Sequence, residues 1–322
     1  MLMQMAEILG PIAIITLIGY LMGRSSAGLE TRTLSTVVIL VATPALIFHT
    51  LISMQVSPET IKIMAGAALL CITVSGLLGL VALLVSGGPV RSFLPALMMP
   101  NSGNMGLPLV VLAFGPEGLR LGVAYFFVVA LVQHTLGVWI YSGKLNPATL
   151  LRQPLVFSVL AVLVVTFTGI SVPTIILVTT DMLGGMMIPA MLMLLGASLA
   201  TLEVSDLRPA LLMAIGRLSF GLASAFVAIT LLGLQGPTAG IVFLLATMPT
   251  AIVIYVFAER YHQNAKQVAG SVVVSTVLTF ICLPVLVWAA LAISDATGLT
   301  ETEIPEQSHI GAIATEGTAP EY

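Results

Sequence analysis

The sequence predicts an all-α membrane protein: ten transmembrane helices forming two inverted five-helix repeats, with helices 4 and 9 broken. Three observations lead there. The 322 residues are 58% hydrophobic and only 8% charged, with a mean hydropathy of +1.11; a soluble domain carries roughly 25% charged residues. Such a chain cannot coat a soluble surface, which excludes a soluble enzyme, a nucleic-acid binder and a disordered scaffold. Second, the apolar runs are long and show no strand alternation. Each is close to the roughly 20 residues that cross a ~30 Å hydrocarbon core as a helix. Third, two proline-centred patterns recur at nearly one offset along the chain.

The runs separate at charges, glycines and prolines. The first, 6–22, has no Lys or Arg before it, so it lacks the basic leader of a signal peptide and is expected to be retained. The second, 34–52, holds Pro44, and the third covers 61–85. The fourth, 92–115, contains the most unusual stretch of the chain, and the fifth is 118–141. The sixth to tenth fall at 153–170, 174–200, 208–232, 237–258 and 267–292. One transporter-sized domain, 1–292, therefore holds repeat one (about 6–141) and repeat two (about 153–292). Residues 293–322 carry acidic residues and no basic one, and read as a disordered acidic tail.

Lys and Arg give the orientation. Loops after runs 1, 3, 5, 7 and 9 hold eight: Arg24, Arg32, Arg91, Lys144, Arg152, Arg208, Arg260 and Lys266. The other side holds two, Lys62 and Arg120. This asymmetry puts both termini outside the cytoplasm; the expected location is the inner (plasma) membrane, as a multi-pass chain.

Pro44-Ala45-Leu46 matches Pro189-Ala190-Met191 145 residues later, and Met99-Pro100 matches Met248-Pro249 149 residues later. Five runs per half is an odd number, so the halves would be inverted, the usual plan of secondary transporters. Between Met99 and Pro108 stand two prolines, two glycines and two asparagines. Pro100 and Pro108 each remove a helical hydrogen bond, and Gly103 and Gly106 permit unwinding. A half-helix opening there presents free N–H groups that attract anions, with the amides of Asn101 and Asn104 beside it. Run 9 has the partner break, Pro249, with Thr250 adjacent. Interrupted helices at corresponding places point to a midplane binding site.

These residues resemble the auxin efflux carrier (AEC) family, across essentially all ten runs. The resemblance rests on Gly19-Tyr20-Leu21-Met22-Gly23-Arg24, Pro44-Ala45-Leu46-Ile47-Phe48, Asn101 through Pro108, and Phe114-Gly115-Pro116-Glu117-Gly118. In the second half it rests on Ile188-Pro189-Ala190 with Leu195-Gly196-Ala197-Ser198-Leu199, and on Met248-Pro249-Thr250-Ala251 with Ala258-Glu259-Arg260-Tyr261. It implies that the two broken helices cross, as in bile acid/sodium symporters, and that the cargo is an organic anion, malonate or malate among bacterial members. Asn101 and Asn104 match the family's substrate-side positions and Pro249 its second crossover proline. Members often carry Asn soon after that proline; here the stretch is Ala251-Ile252-Val253-Ile254. The short connection between runs 5 and 6 resembles prokaryotic, malonate/malate-permease-like members.

The expected activity is secondary transport of a small carboxylate or dicarboxylate by alternating access, within the bilayer. An ion-coupled symporter of the bile acid/sodium type and an anion-conducting channel stay open. Substrate-binding candidates are Pro100, Asn101, Gly103, Asn104, Gln133, His134, Pro249 and Thr250. Gln133 and His134 either line the cavity, with His134 able to carry a proton, or make interhelical hydrogen bonds. Arg217, about ten residues into run 8, either counters a carboxylate, pairs structurally or snorkels toward the nearer face. Asp181 is expected to cap run 7 and His49 to be structural. Cys71 and Cys282 read as small buried hydrophobes. The chain is not expected to be an enzyme or to need a cofactor, metal or nucleic acid: Gly137–Lys144 lacks P-loop spacing, and no residue cluster has metal-ligand spacing. A homodimer stays open.

Overall fold

The computed structural model describes residues 2–25, 29–54, 56–144 and 154–298. All elements among these residues are helical. In chain order they are α1 (Leu2–Arg24), α2 (Thr31–Ser53), α3 (Pro58–Ser86), α4 (Val90–Met98), α5 (Ser102–Ser142), α6 (Pro154–Thr168), α7 (Thr174–Thr201), α8 (Leu207–Leu232), α9 (Gly236–Ala246), α10 (Ile252–Arg260) and α11 (Ala265–Gly298). Seven stretches are long and apolar enough to cross a membrane: the whole of α2, α3, α5, α7 and α8, and most of α1 and α11. Large apolar side chains on the outside of the bundle, such as Val85 (84% exposed) and Phe167 (83%), make sense only against lipid.

Local chemistry sets the ends. Ser57 caps α3, its hydroxyl accepting the Thr60 N–H at 3.1 Å, with Pro58 in the first turn where no N–H is needed. Asp206 caps α8 by accepting the Arg208 N–H. Gly115, at φ +60° and ψ −142°, breaks α5 into arms 102–114 and 116–142, in the left-handed region that favours glycine. This break separates the fourth and fifth runs where the sequence does. Helix α11 runs on through Gly298, past the expected end at 292, because nothing between 293 and 298 interrupts it. The rest of the predicted tail, 299–322, lies outside the described residues, as do Arg152 and most of the loop between runs 5 and 6. Asp181 does not cap α7. It lies inside that helix, exposed, with Oδ1 3.4 Å from Nε2 of His49, whose Nδ1 donates to the Leu177 carbonyl at 3.1 Å.

The helices sort into two groups. In one, α1 packs along the second half of α7, and α2 against α6 and the first half of α7. In the other, α3, α4, α5, α8, α9, α10 and α11 pack together. The α1–α7 contact is unusually close: a Cβ on Gly196 would stand 1.9 Å from the Thr16 carbonyl oxygen, and one on Gly19 2.2 Å from that of Met193. Within a bilayer, association depends on such small residues at interfaces. In the second group α3 binds α8 through the Ser75 hydroxyl, which donates to the Phe220 carbonyl at 3.2 Å. The start of α4 is tied to the end of α5: Arg91 donates from Nε to Ile140 and from Nη2 to Tyr141, both at 2.9 Å, and the Tyr141 hydroxyl donates back to Ser92 at 3.0 Å.

Candidate functional site

Helix α4 stops at Met98 and α5 begins at Ser102; α9 stops at Ala246 and α10 begins at Ile252. The two gaps lie against each other as an antiparallel pair, Pro100 opposite Thr250. The Asn101 N–H donates to the Pro249 carbonyl at 2.7 Å, and the Ala251 N–H to the Met99 carbonyl at 3.1 Å. In this register the facing residues exchange no hydrogen bond with each other. A proline, which has no N–H, therefore fits at position 100 without loss. Each break satisfies backbone groups of the other, which a membrane interior demands.

The break is shorter than the sequence suggests. Only Met99–Asn101 lies outside a helix. Ser102–Gly106 forms a wider π-type turn that leads into the α-helix at Leu107, with Pro108 in its first turn. Proline is tolerated there because first-turn N–H groups lack helical partners. The glycines serve packing: a Cβ on Gly103 would come within 2.7 Å of the Phe126 ring, and one on Gly106 within 2.7 Å of Leu245.

Side chains hold the gap in place. Gln133, buried, donates from Nε2 to the Pro100 carbonyl at 2.8 Å. Thr250 donates its hydroxyl to the Ala96 carbonyl at 2.9 Å, and its N–H goes to the Ser275 hydroxyl. Arg217 is 1% exposed and does not snorkel. It donates from Nε to Met248 (3.1 Å), from Nη1 to Leu97 (3.0 Å) and from Nη2 to Ala246, all carbonyls at the closing ends of α4 and α9. Of the roles open to it, the one observed is structural pairing, because helix ends leave carbonyls free at that depth.

A cavity of about 180 Å³ lies beside the paired breaks, between the two helix groups. Pro100, Asn101, Gly103, Asn104, Gln133 and His134 line it, together with Thr43 of α2, Met191 of α7 and the first turn of α10. Pro249 and Thr250 stand outside its lining and build the crossover behind it. Asn101 accepts the Asn104 N–H on Oδ1 at 3.3 Å, capping the π-type turn, while its Nδ2 is buried without a hydrogen-bond partner. His134 contacts the Ala130 carbonyl through Nδ1 at 2.9 Å. A carbonyl only accepts, so Nδ1 carries the hydrogen, and the second ring nitrogen remains for another partner. Among the described residues, no Asp or Glu lines this cavity. It shares Ser35, Ile39, Asn104, Leu194, Ile252 and Val256 with a larger space of about 740 Å³ that extends to Arg32, Thr201 and Glu259.

The sequence reading missed Thr43, whose hydroxyl is buried without a partner in the cavity wall. The π-type turn Val38–Ala42 turns it inward, and Pro44 is the only mark of that irregularity in the sequence. Replacing Gln133 with leucine is expected to leave the Pro100 carbonyl unpartnered, at about 1–3 kcal/mol. The purified variant should melt several degrees lower in detergent; an unchanged melting temperature would remove Gln133 from the support of the break.

Residues 142–288 match the family described as membrane transport protein. The chain is also 26% identical over 275 residues to an uncharacterized transporter of Methanocaldococcus jannaschii, covering 80% of this chain and 88% of that one. With paired helix breaks at the positions its motifs mark, the chain is similar to membrane transport proteins, by the family match over its second half and by the archaeal transporter along most of its length.

Proposed function

We propose that this protein is a secondary carrier of a small carboxylate or dicarboxylate, binding it at the paired breaks and moving it by alternating access. The observation that carries this reading is the buried Nδ2 of Asn101, unpartnered among the described residues, in a cavity wall whose described residues include no acidic side chain. A carboxylate oxygen is the acceptor such a donor lacks. The first turns of α5 and α10 both border the cavity. Each presents roughly +0.5 elementary charge, together about the charge of one carboxylate. With the Ala251 N–H spent on the Met99 carbonyl, the apolar Ile252 and Val253 leave the α10 side to offer backbone N–H groups only.

Ten crossings in two inverted repeats fit this activity. α4 with the first arm of α5, and α9 with α10, each add up to one interrupted crossing; the second arm of α5 and the short α6 supply the others. Neighbours exchange under the repeat: α1 lies on α7 as α6 lies on α2, and α4 lies on α3 as α9 lies on α8. The Lys and Arg asymmetry supports an orientation with both termini outside the cytoplasm, as expected for a plasma-membrane carrier. The vestibule running to Arg32 then opens to the cytoplasm. The resemblance to malonate- and malate-moving relatives supplies the first substrates to test.

Uptake of labelled malonate, malate, a neutral sugar and an organic cation into proteoliposomes, with and without sodium or proton gradients, tests the reading. Saturable uptake of at least one carboxylate, with counterflow exchange, is expected. Transport of the sugar or cation alone would overturn it.

A further inference from the structure

Arg217 is a full positive charge, 1% exposed, and none of the ion pairs among the described residues includes it. A buried charge needs compensation. Here it comes from the closing ends of two helices. α4 and α9 each end in free carbonyls carrying roughly −0.5 elementary charge, and the guanidinium bonds to Leu97 on one, and to Ala246 at the end of the other and Met248 just past it. Opposed half-helix ends with unwound carbonyls are where transporters coordinate coupling cations. This chain fills that place with a tethered one.

We propose that Arg217 is a positioning residue for transport: its guanidinium clamps the carbonyl ends of α4 and α9 together and supplies the charge that keeps the crossover receptive to an anion. The two carbonyl ends and Arg217 cancel, leaving the first turns of α5 and α10 as the unbalanced positive charge beside the cavity. A neutral residue at 217 leaves the carbonyl ends uncompensated and turns the same region from anion-attracting to nearly neutral. The planar fork matters separately. Three carbonyls from two helices are reached by three nitrogens of one rigid group, and an ammonium on a flexible stem cannot reproduce that spread. The charge half of the proposal rests on the carboxylate reading; the clamp does not.

The test compares Arg217→Lys, Arg217→Gln and Arg217→Ala in proteoliposomes and in detergent. Malonate uptake should keep a near-normal KM in the lysine variant with a lowered maximal rate, and show a several-fold higher KM in the glutamine variant. Millimolar guanidinium chloride should raise the melting temperature of the alanine variant, and sodium chloride at equal ionic strength should not, while wild type responds to neither. Equal KM in the lysine and glutamine variants, or melting indifferent to guanidinium, overturns the proposal. Failure of both the lysine and the glutamine variants to accumulate in the membrane also overturns it, by making Arg217 a folding element only. If wild type takes up neither malonate nor malate, the carboxylate reading is what fails, and guanidinium rescue still decides the clamp.

Discussion

Asn101→Asp is expected to abolish carboxylate transport while the protein stays folded. Aspartate is nearly isosteric and keeps the oxygen that accepts the Asn104 N–H, so the cap at the start of α5 survives. A negative charge there is even favoured by the helix end. What changes is the cavity side: a buried donor becomes an acceptor that repels an incoming carboxylate. Asn101→Ala is the milder form. It removes one ligand-paired amide, which is worth roughly 1–3 kcal/mol or about tenfold in affinity, but it also removes the cap and so lowers stability. Asn104→Ala should weaken binding without the cap loss, because Asn104 contributes its backbone N–H to that bond. Substrate titration against purified, folded Asn101→Asp protein decides the matter. Wild-type affinity for the same acid would take the Asn101 side chain out of the binding site.

Gly196→Ala is expected to prevent α1 and α7 from packing and to leave little folded protein. A methyl at 196 would stand 1.9 Å from the Thr16 carbonyl oxygen, which is backbone and cannot rotate away. The helices must part along their whole contact, which exceeds the about 1–3 kcal/mol usual for overpacking a core. Gly10→Ala is the control, on the same α1 but with nothing within 4 Å of the added methyl. There the better helix propensity of alanine, worth about 0.5–1 kcal/mol, should slightly raise stability. Size-exclusion profiles and melting curves of the two variants should therefore diverge in opposite directions. Equal behaviour would show that the α1–α7 contact yields easily.

Much of this was legible in the sequence because prolines and charges have few uses inside a membrane. Pro100 and Pro249 mark both breaks, which lie against each other. Arg217 was legible as a buried charge but not as a clamp, since its partners are backbone carbonyls of Leu97, Ala246 and Met248, which no residue identity announces. Thr250 read as a lining hydroxyl and is instead spent on the Ala96 carbonyl. Pro108 read as part of the break and instead sits in a first helical turn. Thr43 escaped notice because a single π-type turn upstream decides which way it faces.

The mutual pairing of the breaks has a bearing on biosynthesis. Residues 99–101 enter the membrane long before 249–251 have been made. At roughly 5–20 residues per second, Arg217 and the second break arrive on the order of ten seconds later. Until then the Met99 carbonyl, the Asn101 N–H and the end of α4 have no permanent partners in the chain. The nascent first half must stay within the insertion machinery, or in contact with its water, until the second half is released. A ribosome stalled between the halves should therefore yield a fragment that is extracted and degraded rather than a half-carrier waiting in the lipid.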